Sequence, residues 1–338
     1  MNNLWNQELK NSVWANRPDL IRSCVDKGAN VDWISPGSMG RSLLFVSVIH
    51  QKFDAAKSLL ELGANPALID ENGISPLQFA KNKRLGKFVS LMENEKYICN
   101  MAIDRVSDVL VRDFFSETLK KLEETYTWRV PSIAGFKAQA TNRYQANIQL
   151  KKFLNQKWCC TNDPQDKMSL AKIVVADWGG IRSNTDETLK AYVKMLDKDN
   201  PVTPLKGIAS YSKIFSIADL GKYAIYDARV AACLNAVQYR LKIEQGLAFN
   251  YVNGRNSIIG HAGKRDGFVY KKSFKVSDLL EGGWVKIEKD RTYECYLRLL
   301  RKCLDKLNAS NGLQMFHLEM ALFSNAEAEC KKALEANK

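Results

Sequence analysis

Along most of the chain, apolar residues recur three and four positions apart, which is the spacing of one face of an amphipathic α-helix. The clearest run predicts a helix over residues 106–122, with an apolar face made of Val106, Val109, Leu110, Phe114, Phe115, Leu119 and Leu122. Two later runs, "YECYLRLLRKCLDKL" and "LQMFHLEMALF", predict a pair of closing helices. Between residues 245 and 283, glycine, lysine and aromatic residues predict an irregular loop with short strands. The predicted fold class is mainly α.

A further helix is predicted from its starting signal. The segment "NTDETLKAYVKML" begins with Asn184, and Glu187 follows three residues later. An asparagine with a glutamate at this spacing is typical of the capping box that begins a helix. We therefore expect Asn184 to be the N-cap.

The first 95 residues contain an internal repeat. "DKGANVDW" from Asp26 recurs as "ELGANPAL" from Glu61, and "MGRSLLFVSV" recurs as "NGISPLQFAK". From Gly40 to Gly73 the step is 33 residues, which is a period of helical repeat arrays. The sequence therefore predicts a repeat domain over residues 1–95 and a second domain over residues 96–338.

The repeat resembles the ankyrin repeat. In the second copy, "DENGISPLQFA", the residues Ser75, Pro76 and Leu77 stand where the ankyrin pattern begins its first helix, whereas the first copy has "SLL" from Ser42, without the proline. The resemblance covers roughly residues 3–94. It implies an array that binds a protein partner and has no catalytic role.

Charge separates the two predicted domains. The chain carries 50 lysine and arginine and 37 aspartate and glutamate residues, a formal net charge of +13. Up to Glu95 there are 11 basic and 10 acidic residues, so 39 and 27 remain and +12 of the charge lies after residue 95. Positive charge confined to one part of a protein is typical of a polyanion partner, most often nucleic acid. We therefore expect the second domain to bind DNA.

Composition indicates a cytoplasmic protein without membrane segments. No run approaches the roughly 18 apolar residues that span a bilayer, and "MNNLWNQELKNS" is not a signal peptide. The eight cysteines lack a secretory context, so we expect reduced thiols.

Several familiar motifs are absent from the sequence. The segment "GRNSIIGHAGKRDG" lacks the order of a phosphate-binding P-loop. Cys159 and Cys160 have no second cysteine pair at zinc spacing. None of the three histidines is spaced as in hydrolytic zinc sites. We therefore expect no metal ion and no cofactor.

The segment Pro204–Asn235 carries the candidate chemistry. "GIASYSKIF" predicts a helix, "SIADLGK" a short turn, and "AIYDARVAACLNAV" a second helix that begins at Asp227. Lys213 lies in the first of these helices.

This arrangement resembles the helix-hairpin-helix DNA glycosylases, base-excision enzymes of mainly α fold. Leu205, Gly207 and Ile208 match parts of the family's Leu-Pro-Gly-Val-Gly hairpin, with Lys206 in place of the proline and Ala209 in place of the second glycine. The close match covers about thirty residues. It implies that the hairpin contacts the DNA backbone through its amide groups.

The resemblance also implies roles for two further residues. Asp227 and Val230 match the aspartate and valine that follow the hairpin, and in the family the aspartate faces the flipped nucleotide. Tyr211 falls where the family has its catalytic lysine, and Lys213 comes two residues later. Asp227 is therefore the candidate catalytic carboxylate and Lys213 the candidate nucleophile.

These residue types suit the chemistry. Breaking an N-glycosidic bond develops positive charge on the sugar, which a fixed carboxylate stabilises. A base flipped out of the duplex needs a pocket with aromatic walls, for which Trp178, Tyr223 and Tyr226 are candidates. The further predicted nucleic-acid contacts are Lys206, Gly207, Ala209, Tyr211, Arg182, Arg229, His261, Lys264 and Arg265.

Simpler interpretations remain open from the sequence. Asp227 can be a plain N-cap, Lys213 a solvated lysine, and Trp178 a residue that fills the core. The corresponding alternative functions are a nucleic-acid-binding adaptor without catalysis and an ankyrin scaffold whose positive charge has no partner.

Overall fold

The structure is a computed structural model that describes residues 2–197, 201–307 and 312–337. It is mainly α-helical, which confirms the predicted fold class. The chain divides into two compact units, one up to Ala102 and one from Ile103 onward. The sequence placed this boundary after residue 95. The dividing point lies inside a helix, Glu95–Leu110.

The first unit consists of short helices that pack in pairs. They are α1 Asn2–Trp14, α2 Pro18–Asp26, α3 Leu43–Ile49, α4 Phe53–Glu61, α5 Pro76–Asn82 and α6 Gly86–Met92, followed by α7 Glu95–Leu110, which continues into the second unit. Each odd-numbered helix of the first six packs against the next one. The core between the pairs is mainly aliphatic, with Leu44, Ala56 and Leu59 fully buried, and aromatic side chains such as Phe53 and Phe88 pack into it.

The two sequence copies fold alike in detail. Ser42 is the N-cap of α3, and its Oγ accepts a hydrogen bond from the Phe45 amide at 3.2 Å. Ser75 is the N-cap of α5, and its Oγ accepts one from the Gln78 amide at 3.1 Å. Side-chain capping of this kind satisfies amides at the start of a helix that have no partner within it. The repeat in the sequence is therefore also a repeat in local structure.

The helix predicted over residues 106–122 is present but is not uniform. After α7 the chain runs through a π-helical segment Val111–Phe115, α8 Ser116–Thr118, a 3₁₀ turn Leu119–Lys121 and α9 Leu122–Thr125. The predicted apolar face is largely buried in the second unit. Periodicity predicted the helical path but not its local changes of winding.

Eight further α-helices and a π-helical segment are described in the rest of the second unit. They are α10 Arg143–Cys160, α11 Pro164–Lys172, a π-helical segment Ile173–Trp178, α12 Asp186–Met195, α13 Ile208–Ala218, α14 Ala228–Arg240, α15 Val276–Glu281, α16 Thr292–Lys306 and α17 Met315–Ala336. The longest packing interface lies between α14 and α17, and α13 packs on α10. The two closing helices are confirmed, and α17 runs well past its predicted end. In the part of the chain that the structure describes, no helix has the length and apolar character needed to cross a bilayer.

The loop predicted over residues 245–283 contains short strands as expected, but it also contains helix α15, which the sequence did not predict. Strand β1 Leu247–Ala248 pairs in parallel with β4 Val285–Lys286, and β2 Arg255–Asn256 pairs antiparallel with β3 Gly260–His261. Single 3₁₀ turns lie at Phe268–Tyr270 and Lys289–Arg291.

The predicted N-cap of α12 is wrong by one residue. Thr185 caps the helix, and its Oγ1 accepts a hydrogen bond from the Thr188 amide at 3.3 Å. Asn184 Nδ2 instead donates to Ser210 Oγ on α13 at 3.0 Å. Asparagine and threonine are both good N-caps, and the contact with α13 occupies Asn184.

Candidate active site

The turn before α13 requires its glycine. Gly207 has φ +85°, and a Cβ at this position would collide with the ring and hydroxyl of Tyr192. Tyr211 packs on Tyr192 and donates its hydroxyl hydrogen to the Pro204 carbonyl at 2.8 Å. Tyr211 is fully buried. It therefore holds the turn in shape and is not accessible for the nucleic-acid contact predicted for it.

Asp227 begins α14 as its N-cap. Its Oδ1 accepts hydrogen bonds from the amides of Arg229 at 2.9 Å and Val230 at 3.1 Å. The positive end of the helix dipole lies at the same place and stabilises the carboxylate. Among the described residues, no hydrogen bond is donated to Oδ2. The capping role is confirmed, and it leaves one carboxylate oxygen unengaged.

Asp227 lies in the wall of a large cavity within the second unit. The cavity has a volume of about 1340 Å³. Four aromatic side chains line it: Tyr126, Trp128, Trp178 and Phe323. It brings together six of the residues predicted from the sequence, namely Asp227, Lys213, Trp178, Ala209, Arg229 and His261.

A π-helical segment carries Trp178 to this wall. The segment Ile173–Trp178 is followed directly by Gly179 and Gly180, and all three of Trp178, Gly179 and Gly180 line the cavity. Single π-helical turns inside helical stretches occur frequently at functional sites. Trp178 is thus both buried and part of the cavity wall. The sequence had left open whether it fills the core or lines a pocket, and its position agrees with both.

Lys213 is buried where it meets the cavity. Its side chain is 7% exposed, and Nζ donates a hydrogen bond to the Ala209 carbonyl at 2.8 Å. The aliphatic stem lies against Gly179, where an added Cβ would come within 2.6 Å of Lys213 Cδ. Burial lowers the pKa of Lys213, while the carboxylates of Asp227 and Glu319 act in the opposite direction. Lys213 is therefore not the solvated lysine of the simpler interpretation.

The sequence did not single out Lys151 and Glu319, which form an ion pair in the same cavity wall. Lys151 on α10 is 1% exposed and Glu319 on α17 is 4% exposed. The Lys151 ammonium also lies 5.5 Å from the ring centroid of Trp178. Burial raises the pKa of Glu319, and the positive charge of Lys151 opposes this rise. A glutamate inside the apolar run "MFHLEMALF" was the signal that could have revealed it.

Two predicted wall residues belong to the core instead. Tyr226 is fully buried and donates its hydroxyl hydrogen to the Asn250 carbonyl at 2.7 Å. Tyr223 packs between Phe215 and Tyr293. Neither lines the cavity. The segment that leads into α14 passes through the interior, so tyrosines close to Asp227 in sequence point away from the cavity.

The predicted basic contacts fall into two groups. Lys206, Arg182, Lys264 and Arg265 are exposed and do not line the cavity. Arg229 lines it, but its guanidinium is paired with Glu327 at 2.6 Å and lies over a cavity aromatic ring.

His261 lies at the cavity edge, beside the exposed basic turn. Its Nδ1 accepts a hydrogen bond from the Lys264 amide at 3.2 Å. This bond assigns Nδ1 an acceptor role and leaves Nε2 as the ring nitrogen that can donate.

Within the described ranges, no three histidine, cysteine, aspartate or glutamate side chains are grouped so that they could hold a metal ion. Comparisons of the chain with protein-family models, with curated proteins and with solved structures find no match.

Proposed function

We propose that the second unit is a DNA glycosylase-like enzyme that removes a damaged or modified base from DNA. Asp227 is the carboxylate that stabilises the sugar, and Lys213 is the nucleophile. One observation carries the proposal: a buried lysine amine and a helix-capping carboxylate, contributed by different helices, line the same aromatic-walled cavity.

The capped carboxylate suits the charge that develops in the reaction. When the N-glycosidic bond breaks, positive charge builds up on the sugar. Asp227 is held by two backbone amides, so it needs little rearrangement to face that charge. A preorganised group of this kind contributes more than a mobile one.

The buried amine suits nucleophilic attack. Because burial lowers the pKa of Lys213, a larger fraction of the amine is neutral near pH 7 than for a solvated lysine. The Nζ lone pair forms a bond to C1′ of the sugar, and the electrons of the glycosidic bond leave with the base. The proton that Nζ sheds goes to that base. Opening of the sugar ring then gives an imine that borohydride can reduce.

The cavity and its surroundings suit an extruded nucleotide. Aromatic side chains on its wall provide stacking surfaces for a base. Lys206, Lys264 and Arg265 are exposed and are available to phosphates. Binding through such residues is salt-dependent because counterions are released.

We further propose that residues 1–95 form an ankyrin-like array that binds a protein partner. The repeated capping serines, Ser42 and Ser75, and the paired helices support this assignment. We also propose a cytoplasmic location, because the eight cysteines of the sequence have no secretory context.

The test uses the full chain and DNA duplexes that carry assorted altered bases. Asp227→Asn keeps the cap, since asparagine caps as well as aspartate, and removes only the charge. We expect base release to fall by roughly 10²- to 10³-fold, with DNA binding retained. Lys213→Ala is expected to abolish borohydride trapping, whereas Lys57→Ala, which removes an exposed lysine of the first unit, should keep it.

The alternative outcomes separate the remaining functions. Base release without trapping would make water the nucleophile and limit the role of Lys213. Salt-dependent DNA binding without base release from any duplex would favour the non-catalytic adaptor, which the exposed basic turn at Lys264 and Arg265 also suits. Unchanged elution from a DNA column as salt rises would favour the protein scaffold.

A further inference from the structure

In the reaction proposed above, neither Lys151 nor Glu319 contacts the reacting atoms. Its two side chains are among the most buried charged groups of the described chain. Taking two charges out of water costs about as much as their attraction returns, so an apolar pair of the same size would stabilise a core as well or better. The pair lies in the same cavity wall as the buried Lys213, so its charges can act on the Lys213 amine.

The charged side chains that line the cavity and act on Lys213 come from three elements. Lys151 comes from α10, Asp227 from the start of α14 and Glu319 from α17, and each acts on Lys213 electrostatically. Asp177, Arg129 and Arg255 line the same cavity but are exposed to solvent. Counting its own, the charges that act on Lys213 are therefore two ammonium groups and two carboxylates.

The other groups close to α13 change this balance little. From α12, Tyr192 contacts Tyr211 with ring centroids 5.7 Å apart, and burial raises the pKa of Tyr192, which favours its neutral form. Arg229 is paired with Glu327.

We propose that Lys151 and Glu319 are positioning residues that act through Lys213. Glu319 favours the ammonium form of Lys213, and Lys151 favours the neutral amine of Lys213. The ion pair thereby sets the charge state in which Lys213 meets the sugar. The catalytic meaning of this assignment rests on the proposed function. The electrostatic effect of the ion pair on Lys213 does not depend on that function.

The proposal predicts shifts of opposite sign. Glu319→Gln leaves two ammonium groups and one carboxylate, so Lys213 loses its proton at lower pH. Lys151→Met leaves one ammonium group and two carboxylates, so Lys213 keeps its proton to higher pH. The double variant keeps one ammonium group and one carboxylate, so Lys213 is expected to lose its proton at nearly the same pH as in the original protein. A merely structural role would loosen the site in both single variants and shift them in the same direction.

The experiment measures the amine without DNA. The full chain is reacted briefly with formaldehyde and cyanoborohydride across the neutral and alkaline range, and the extent of methylation at Lys213 is read by peptide mass spectrometry. We expect each single variant to move the midpoint by about one pH unit, which is about a tenfold change in rate at a fixed pH below the midpoint. Lys206, exposed in the same chain, is the internal control, and its profile should not move.

A matched variant controls for loss of a buried carboxylate. Glu329 lies on the same helix α17, is 2% exposed and is paired with Arg240 and Lys332, and it does not line the cavity. Glu329→Gln should leave the Lys213 profile unchanged. If Glu319→Gln does not fold, Lys151→Met alone tests the inference, and its Lys213 midpoint must then move to higher pH.

Shifts in the same direction, or none, would overturn the inference. Opposite shifts in a protein that releases no base would retain it and overturn the proposed function. Base release with identical Lys213 profiles in all variants would retain the proposed function and overturn this inference.

Discussion

The two units bury polar groups in different ways. In the first unit Ser47 donates to the Leu44 carbonyl at 2.6 Å. The buried carboxylate of Asp70 accepts from the Asn72 amide of its own turn at 2.9 Å, and also from the partly exposed Arg41 at 3.2 Å. In the second unit the buried charges come from distant parts of the chain, and Lys151 and Glu319 are 168 residues apart.

This difference has a physical meaning. A polar group that satisfies its own turn or helix end stabilises local structure and needs no other explanation. A buried charge paired across the fold stabilises little by itself. Its position in a cavity wall is therefore better evidence for a functional site than any of the buried groups in the first unit.

The largest expected effect comes from breaking the long-range pair. Glu319→Ala leaves the Lys151 charge buried without its partner and is expected to cost about 3–5 kcal/mol of unfolding free energy. The double variant Lys151→Met, Glu319→Leu is expected to be neutral or stabilising, since apolar replacements avoid the desolvation cost. Urea denaturation followed by circular dichroism measures both. A loss of less than about 1 kcal/mol in Glu319→Ala would remove the contrast between the units.

Glycines in the two units sharpen the comparison. Gly207→Ala in the second unit combines φ +85° with a collision against Tyr192, and we expect a loss of about 2–4 kcal/mol. Gly63→Ala in the first unit has φ +100° but nothing within 4 Å of the new Cβ, so only the backbone cost of about 1–2 kcal/mol applies. Equal losses in urea denaturation would show that the turn before α13 is not tightly packed.

The pH dependence of stability tests the buried lysine. Since burial lowers the pKa of Lys213 in the folded state, the unfolded chain binds more protons between that pKa and the ordinary value of 10.5. Stability from this group therefore rises with pH in that window, by at most about 1.4 kcal/mol per pH unit, and is lost as pH falls through the folded pKa. Lys213→Met should flatten this slope in urea denaturation series. An unchanged slope would contradict the burial of the amine.

The smallest effect concerns the repeated caps of the first unit. Ser42→Ala and Ser75→Ala each remove the side-chain acceptor for one amide, and each should cost about 1 kcal/mol. Ser42 is the more buried of the two, so we expect Ser42→Ala to lower the unfolding free energy more than Ser75→Ala. Thermal or urea unfolding measures the difference, and replacement by asparagine should restore most of the stability.

The sequence predicted the parts of the site that depend on neighbouring residues. Asp227 follows from its place before an apolar helix, and the glycine of the turn before α13 follows from the hairpin pattern. Tyr223 and Tyr226 were misplaced, because closeness along the chain to Asp227 does not decide which way a side chain points when the segment crosses the core. Glu319 was missed because its partner lies on a helix far away in sequence.

The sequence by itself determined the helical class, the repeat of 33 residues, the separation of charge and the capping of α14, because these depend on spacing and on contacts within a few residues. Only the tertiary structure decided that Lys151, Lys213, Asp227 and Glu319 share one cavity wall. The physical reason is that burying a charge requires a partner from another part of the fold, and no local pattern specifies which helices will meet.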